Sequence, residues 1–183
     1  MRHRPFVLGL GLVVFVAAAC WPAIAPAQTD PLEGIRAYHK VSDRLATSGQ
    51  ITNEQIPQLE AAGFDVVVNL AIADQERNGQ EGFLVVEQGM TYVHIPVSWQ
   101  EPSQEHLRQF FEVMAANEGR KVFVHCFANM RASAFTYLYR TLRAGEADDV
   151  ARPDLMAIWD PFTDERSPQW GAFIDAARAQ PPH

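Results

Sequence analysis

The chain has 183 residues, of which 48% are hydrophobic and 20% charged, and its formal net charge is −7. These values are typical of one soluble globular domain. An acidic chain without a Lys/Arg cluster in its body lacks the basic face that a phosphate backbone needs, so the composition argues against a nucleic-acid partner.

The first 27 residues are predicted to be a signal peptide that is removed. A basic start, Arg2–Arg4, precedes an apolar run, Phe6–Ala19, that is too short to span a bilayer comfortably. The small residues Ala25-Pro26-Ala27 place cleavage before Gln28, which predicts an exported, periplasmic protein with no membrane attachment after cleavage. A retained N-terminal anchor and a lipoprotein acylated at Cys20 remain open as alternatives.

The remaining chain is predicted to form one domain over residues 41–180, preceded by a polar lead-in at 28–40. Strands are expected in the short apolar runs at 41–48, 65–70, 90–97 and 121–125. Helices are expected at 52–62, 83–88, 103–118, 130–139, 147–159 and 168–179. Strands that alternate with helices predict an α/β fold, with a central, mostly parallel sheet flanked by helices on both faces.

Removal of the leader leaves Cys126 as the single cysteine, because Cys20 is removed with it. A single cysteine cannot form an internal disulfide, so it is either buried and inert or a working thiol. The histidines, among them His39, His94 and His125, lack the spacing of metal ligands, and we expect no metal ion and no cofactor.

A short link joins the strand that ends at His125 to the helix that starts near Met130. Such a loop directs successive N–H groups at one point, in front of the positive end of the helix dipole. The same field favours a thiolate, which predicts a reactive Cys126. The planar guanidinium of Arg131 matches a tetrahedral oxyanion. Ser133 is placed to hydrogen-bond the sulfur or its leaving product, and His125 to hold the loop.

The stretch from His125 to Ser133 resembles the signature loop of cysteine-dependent phosphatases of the dual-specificity and tyrosine type. Segments 44–50, 62–65, 68–70 and 94–97 extend the resemblance to a bacterial branch related to β-lactamase-hydrolase-like and sulfurtransferase-like domains. The resemblance implies a three-layer phosphatase architecture, a phosphorylated protein or small molecule as substrate, and a phosphocysteine mechanism. Cys126 would attack phosphorus, Arg131 and the loop amides would hold the equatorial oxygens, and water would cleave the intermediate.

The loop is one residue shorter than the loop of these phosphatases, which separate cysteine and arginine by five residues. The four intervening residues, predicted to bind the substrate, are Phe127, Ala128, Asn129 and Met130. The missing residue removes one N–H donor and up to about 3.5 Å of contour. Four residues is the spacing of rhodanese-type sulfurtransferases, in which the cysteine carries a persulfide. Asn129 stands where glycine often eases the turn, and asparagine tolerates left-handed backbone.

The general acid is the second departure from the phosphatase pattern. Related phosphatases use an aspartate after the preceding strand, whereas Ser98–Pro102 contains only Glu101 as a carboxylate. Glu101 is the candidate acid, with capping of the next helix as the alternative. Trp99 is predicted to wall the substrate pocket, with ordinary packing as the alternative.

Three functions therefore remain open. The first is an exported phosphatase that acts on phosphotyrosine-type or small aryl phosphomonoesters. The second is a sulfurtransferase or persulfide carrier that uses Cys126, and the third is an inactive phosphate-binding module. The loop length favours sulfur chemistry, whereas His125, Ser133 and the overall chain pattern favour phosphoryl chemistry. The sequence predicts no oligomeric state.

Overall fold

Short apolar runs form the strands and longer amphipathic runs form the helices. The computed structural model describes residues 30–181, so the leader predicted at 1–27 and its cleavage site lie outside the described residues. The strands are β1 (His39–Lys40), β2 (Leu45–Ser48), β3 (Val66–Asn69), β4 (Thr91–His94) and β5 (Val122–His125). The helices are α1 (Ile56–Ala61), α2 (Glu81–Glu87), α3 (Gln104–Ala116), α4 (Met130–Leu142), α5 (Asp148–Ile158) and α6 (Pro168–Ala179).

The five strands form one sheet with the spatial order β1-β2-β5-β3-β4. The central strand β5 is parallel to both β2 and β3, and β4 is parallel to β3, while β1 is antiparallel to β2. Every residue of β3 and β5 is buried, as expected for parallel strands that are covered on both faces. The structure thus confirms the predicted α/β fold with a mostly parallel sheet.

Side chains of successive strand residues point to opposite faces of the sheet, and this alternation builds two cores. Val66, Val68, Val122 and Val124 contribute to the larger core, together with residues of α3, α4, α5 and α6. Val67 and Phe123 contribute to the smaller core, together with residues of α1 and α2. Helices on both faces make the predicted three layers. Within residues 30–181, no helix is long and apolar enough to cross a membrane.

The segment predicted to be a polar lead-in contributes to the domain. Leu32 and Ile35 are buried in the smaller core, and β1 adds a strand to the sheet edge. The two apolar side chains are isolated in sequence, so no periodic pattern marks them, and only the neighbouring layer shows that they are buried. The folded unit therefore begins before residue 41.

Two predicted helix starts have the expected hydrogen bonds. The Thr52 N–H donates to Gln55 Oε1 at 2.9 Å, although this capping box opens a short 3-10 turn that leads into α1. The Ser103 Oγ accepts from the His106 N–H at 3.2 Å and caps α3. Of the predicted strand at 41–48, only Leu45–Ser48 forms a strand, because residues 41–44 make the turn between β1 and β2.

Helix α6 approaches the preceding segment closely at Gly171. A methyl group there would lie 2.8 Å from the Pro161 carbonyl oxygen. We expect Gly171→Ala to lower the free energy of unfolding by about 1–3 kcal/mol, because overpacking against backbone outweighs the roughly 1 kcal/mol that alanine gains in a helix. Gly34→Ala is the matched control, since no atom lies within 4 Å of its added methyl group. Urea unfolding of both variants tests this, and a Gly171→Ala protein as stable as wild type would contradict it.

Candidate active site

The carboxyl ends of the three inner strands meet at one edge of the sheet. The register places His125 beside Ser48 on one side and beside Asn69 on the other. The chain then enters the loop Cys126–Arg131, here called the Cys126 loop. The Cys126 N–H donates to the Ser48 carbonyl oxygen at 3.2 Å. The loop is therefore fastened to the end of β2 as well as to β5, its own strand.

Asn129 provides the turn that lets the loop enter α4. Its backbone is left-handed, with φ 67° and ψ −9°, which confirms the prediction that asparagine replaces the usual glycine here. The buried side chain donates to the Ala37 carbonyl oxygen at 2.7 Å and to Thr47 Oγ1 at 3.0 Å. The amide thus braces the loop against the N-terminal segment and β2, and it does not line the cavity described next.

A cavity of about 200 Å³ adjoins the cysteine, and its lining consists of Trp99, Cys126, Ala128, Met130 and Arg131. The thiol is almost fully buried, so a reactant has to enter this cavity to meet it. Several loop and helix amides have no carbonyl acceptor within residues 30–181, namely those of Phe127, Ala128, Met130, Arg131 and Ala132. These N–H groups lie at the positive end of the α4 dipole and are available to an anion.

The Arg131 side chain is 6% exposed and is held from two sides. Its Nη1 donates to the Val97 carbonyl oxygen at 2.8 Å, and its guanidinium carbon lies 5.3 Å from the centre of the Phe127 ring. Its Nε is buried and has no hydrogen-bond partner among the described residues. A buried guanidinium N–H without an acceptor is costly unless an anion occupies the cavity. Val97 thus takes one of the five N–H donors of Arg131, and Nε is among the donors left for an oxyanion.

Ser133 does not direct its hydroxyl proton to the sulfur. The Ser133 Oγ donates to the Met130 carbonyl oxygen at 3.1 Å, within the first turn of α4. This is the ordinary back-bond of a helical serine. The predicted hydrogen bond from Ser133 to the sulfur would require the hydroxyl to rotate away from this carbonyl.

A buried carboxylate that the sequence did not single out lies behind the Cys126 loop. Glu81 is the first residue of α2 and is 1% exposed. Its Oε1 accepts from His125 Nε2 at 2.8 Å and from Asn69 Nδ2 at 3.0 Å, and its Oε2 accepts from Gln50 Nε2 at 2.7 Å. Glu81 falls between the strand predicted at 65–70 and the helix predicted at 83–88, where no element was expected. In the sequence, only His125 points to such a carboxylate, because a histidine at the end of a buried strand needs a polar partner.

The environment of Glu81 keeps it ionised. Burial raises the pKa of this carboxyl, but the hydrogen bond and the charge of His125, with the hydrogen bond from Gln50, outweigh burial and hold the pKa below its usual range. An ionised carboxylate only accepts hydrogen bonds, so His125 Nε2 carries a proton. The pair therefore sets the tautomer and orientation of His125, the residue before Cys126.

Glu101 and Trp99 lie on the connection between β4 and α3. The Glu101 side chain is exposed, and its N–H donates to Ser98 Oγ at 3.1 Å. Ser103 caps α3, so Glu101 does not have the alternative role of helix cap. Glu101 is not in the cavity lining of the described residues, so a role as general acid requires its side chain to turn towards the cavity.

Trp99 both walls the cavity and packs into the core, so its two predicted roles coexist. Its ring centroid lies 5.5 Å from that of Trp159 and 5.1 Å from that of Trp170. The Trp99 carbonyl oxygen accepts from Trp170 Nε1 at 3.0 Å. The α6 helix thereby fixes the wall of the cavity.

The fold and the loop define the class of protein, an α/β domain with a cysteine and an arginine at an anion site. The sequence model of the family described as "DSP-PTPase phosphatase fused to NAD+ Kinase" matches residues 25–165. The chain belongs to this family of cysteine-dependent, dual-specificity-type phosphatases and their relatives.

Three relatives show how far the similarity extends. A β-lactamase hydrolase-like protein of Agrobacterium fabrum is 36% identical over 123 residues, which are 63% of this chain and 27% of that protein. This chain thus spans about a quarter of the length of that curated relative. A crystal structure from Shewanella putrefaciens CN-32, described as a phosphatase candidate of the DUF442 group, has 39% identity and a TM-score of 0.72 and covers 83% of this chain and 95% of that chain.

P. aeruginosa TpbA, in a cysteine-to-serine variant bound to phosphotyrosine, has 17% identity and a TM-score of 0.58, and the match covers 78% of this chain and 88% of that chain. At this identity the similarity shows a shared fold. The phosphatase-type fold predicted from the sequence is thereby confirmed.

The Glu81–His125 pair predicts how stability depends on pH. A carboxyl whose pKa is lower in the folded state adds stability above its unfolded pKa, near 4.5, and loses it as the pH falls through the folded value. We expect Glu81→Gln to lower the free energy of unfolding by about 1–3 kcal/mol at pH 7. The difference from wild type should shrink as the pH falls below 4.5. Urea unfolding at several pH values measures it, and a constant difference down to pH ~2 would refute the assignment.

Proposed function

We propose that this protein is an exported cysteine-dependent phosphatase that hydrolyses phosphomonoesters, of the phosphotyrosine or small aryl phosphate type, through a phosphocysteine intermediate. One observation carries the proposal. Cys126 shares its cavity with a buried Arg131 whose Nε has no partner among residues 30–181. Membership in the family and the phosphotyrosine bound by the distant TpbA support the substrate class.

The proposed reaction has two steps. The Cys126 thiolate attacks phosphorus, a P–S bond forms, and the P–O bond to the leaving group breaks while Glu101 gives that oxygen a proton. Water then attacks phosphorus, gives its proton to the Glu101 carboxylate, and releases phosphate and thiolate. The Arg131 fork and the free loop amides stabilise the equatorial oxygens in both steps.

The cavity wall favours an aryl leaving group. Trp99 presents an indole that Trp159 and Trp170 hold in place, and an aromatic ring stacks well on such a surface. An aryl oxide also leaves with little help from an acid. This matters because the candidate acid, Glu101, is exposed and lies outside the cavity lining of the described residues.

A sulfurtransferase is the second candidate, and the cavity itself favours it. Among residues 30–181, no carboxylate lines this cavity. Transfer from thiosulfate needs no general acid, because the Cys126 thiolate takes the outer sulfur and sulfite leaves as an anion. Cyanide then removes the sulfur from the persulfide as thiocyanate. The four residues between Cys126 and Arg131 are also the spacing of rhodanese-type sulfurtransferases.

Paired assays decide between the two chemistries. Hydrolysis of an aryl phosphate and transfer of sulfur from thiosulfate to cyanide are measured for wild type, Cys126→Ser and Arg131→Lys. We expect wild type to release phosphate and Cys126→Ser to release none. The rate should fall about 10²–10³-fold in Arg131→Lys, because lysine lacks the planar guanidinium. Glu101→Gln should slow alkyl phosphates more than aryl phosphates if Glu101 is the acid.

Each outcome of the assays selects one function. Thiocyanate formation that depends on Cys126, without phosphate release, would replace the phosphatase proposal with the sulfur proposal. If neither reaction occurs but phosphate still protects Cys126 from alkylation, the protein is a phosphate-binding module. An equal effect of Glu101→Gln on both leaving groups would remove Glu101 from the mechanism.

Export is part of the proposal and has its own test. Expression of the full chain in a Gram-negative host should give a periplasmic protein whose mass corresponds to a start at Gln28, because signal peptidase cleaves after small residues such as Ala27. A mass that includes residue 1 would instead indicate a retained anchor. A lipid-modified start at Cys20 would indicate a lipoprotein.

A further inference from the structure

The connection between β3 and α2 is held in one conformation by its own side chains. Asp74 Oδ1 accepts from the N–H groups of Glu76 and Arg77, each at 3.0 Å. The buried Asn78 accepts from the Asp74 N–H at 2.8 Å through Oδ1 and donates to the Ile72 carbonyl oxygen at 3.0 Å. A connection with this many internal bonds presents its exposed side chains in defined positions.

The side chain that this connection presents to the active site is Arg77. Its guanidinium carbon lies 4.6 Å from the centre of the Phe127 ring, and Arg131 contacts the same ring at 5.3 Å. The two guanidinium carbons are therefore no farther apart than the sum of these distances. Phe127 follows Cys126 directly, so Arg77 places a second positive charge against the Cys126 loop, near the cavity that Arg131 lines.

The contacts of Arg77 with other described residues leave much of its guanidinium available to a ligand. Its side chain is 58% exposed, and its one ion pair, Nε to Asp74 Oδ2, is long at 3.5 Å. Its terminal nitrogens have no hydrogen-bond acceptor among residues 30–181. A half-exposed guanidinium fixed over an aromatic ring loses little entropy when it binds an anion.

The scissile phosphoryl group does not account for this second cation. Arg131 and the free amides of the Cys126 loop already face the cavity. The chain as a whole carries a formal charge of −7, which repels anionic substrates at long range, so a local cation beside the cavity has a steering effect. A second anion on the substrate is the partner that this geometry fits.

We propose that Arg77 is a second anion subsite, which recognises a carboxylate or phosphate that the substrate carries in addition to the scissile phosphoryl group. This inference rests on the proposed phosphatase function. The substrate class becomes an aryl phosphomonoester with a second anionic group within about 10 Å, the span of two to three extended residues. Two sources supply this chemistry, a phosphotyrosine peptide with an acidic neighbour and a small aryl phosphate that carries a carboxylate.

Matched substrates test the subsite. The peptide pair has phosphotyrosine flanked by Glu or by Gln, and the small pair is 4-carboxyphenyl phosphate and phenyl phosphate. In wild type we expect the anionic member of at least one pair to have the higher kcat/KM. Arg77→Gln should lower kcat/KM for that member about tenfold, the effect of one charged hydrogen bond. It should leave the neutral member within about twofold, and Arg77→Lys should retain most of the preference.

Arg44→Gln is the control for the loss of one exposed arginine. Arg44 precedes β2 at the opposite edge of the sheet and donates to the Gly119 carbonyl oxygen, so its loss should not change the preference. Added salt should reduce the preference of wild type for the anionic substrate and should leave the ratio of the two kcat/KM values nearly unchanged in Arg77→Gln. The pair of substrates that shows the Arg77-dependent preference identifies the source of the second anion.

The subsite and the phosphatase proposal fail in different ways. Equal losses on anionic and neutral substrates in Arg77→Gln would show that Arg77 only supports Phe127, and no preference in either pair would also overturn the subsite. If the protein has no Cys126-dependent phosphatase activity, the phosphatase proposal fails. Calorimetric binding of the same substrate pairs to Cys126→Ser, with and without Arg77→Gln, then decides on the subsite: equal affinities would overturn it.

Discussion

The buried hydrogen bond between His125 Nε2 and Glu81 Oε1 is the interaction on which the site depends. An ionised carboxylate in the protein interior is tolerated only when its oxygens are paired. Glu81 satisfies this condition by accepting from residues on three separate segments, so the start of α2 has to meet the end of β5, the end of β3 and the segment that follows β2. The Cys126 loop leaves the sheet at this junction, and its geometry follows from it.

Some N–H groups of the Cys126 loop hold the turn, and others remain available to bind an anion. Asn129 and the Cys126 N–H are used to hold the turn, whereas the Arg131 Nε remains open. A loop with one residue fewer than the usual phosphatase loop has fewer donors to divide between these tasks. The N–H groups that hold the turn make the cradle rigid, and the N–H groups without an acceptor among the described residues remain available to an anion.

Local patterns predicted the parts of the chain whose structure is decided by neighbours in sequence. The strand predicted in the β-branched run before Leu70, the helix predicted to start at residue 103 and the bounds of α6 all agree with the structure. The contribution of Leu32 and Ile35 to the core, and the role of Glu81, were missed. Each depends on a partner that is remote in sequence and that becomes adjacent only through the strand order β1-β2-β5-β3-β4.

The sequence by itself determined that a cysteine follows a buried strand, that an arginine opens the next helix, and that the alternating elements form an α/β domain. These properties follow from hydrophobic periodicity and short-range spacing. Only the tertiary structure decided which groups complete the site: Glu81 behind His125, the Val97 carbonyl oxygen against Arg131, and Arg77 over Phe127. The physical reason is that parallel strands bring their carboxyl ends to one edge, and the side chains that gather there come from segments with no sequence relation to one another.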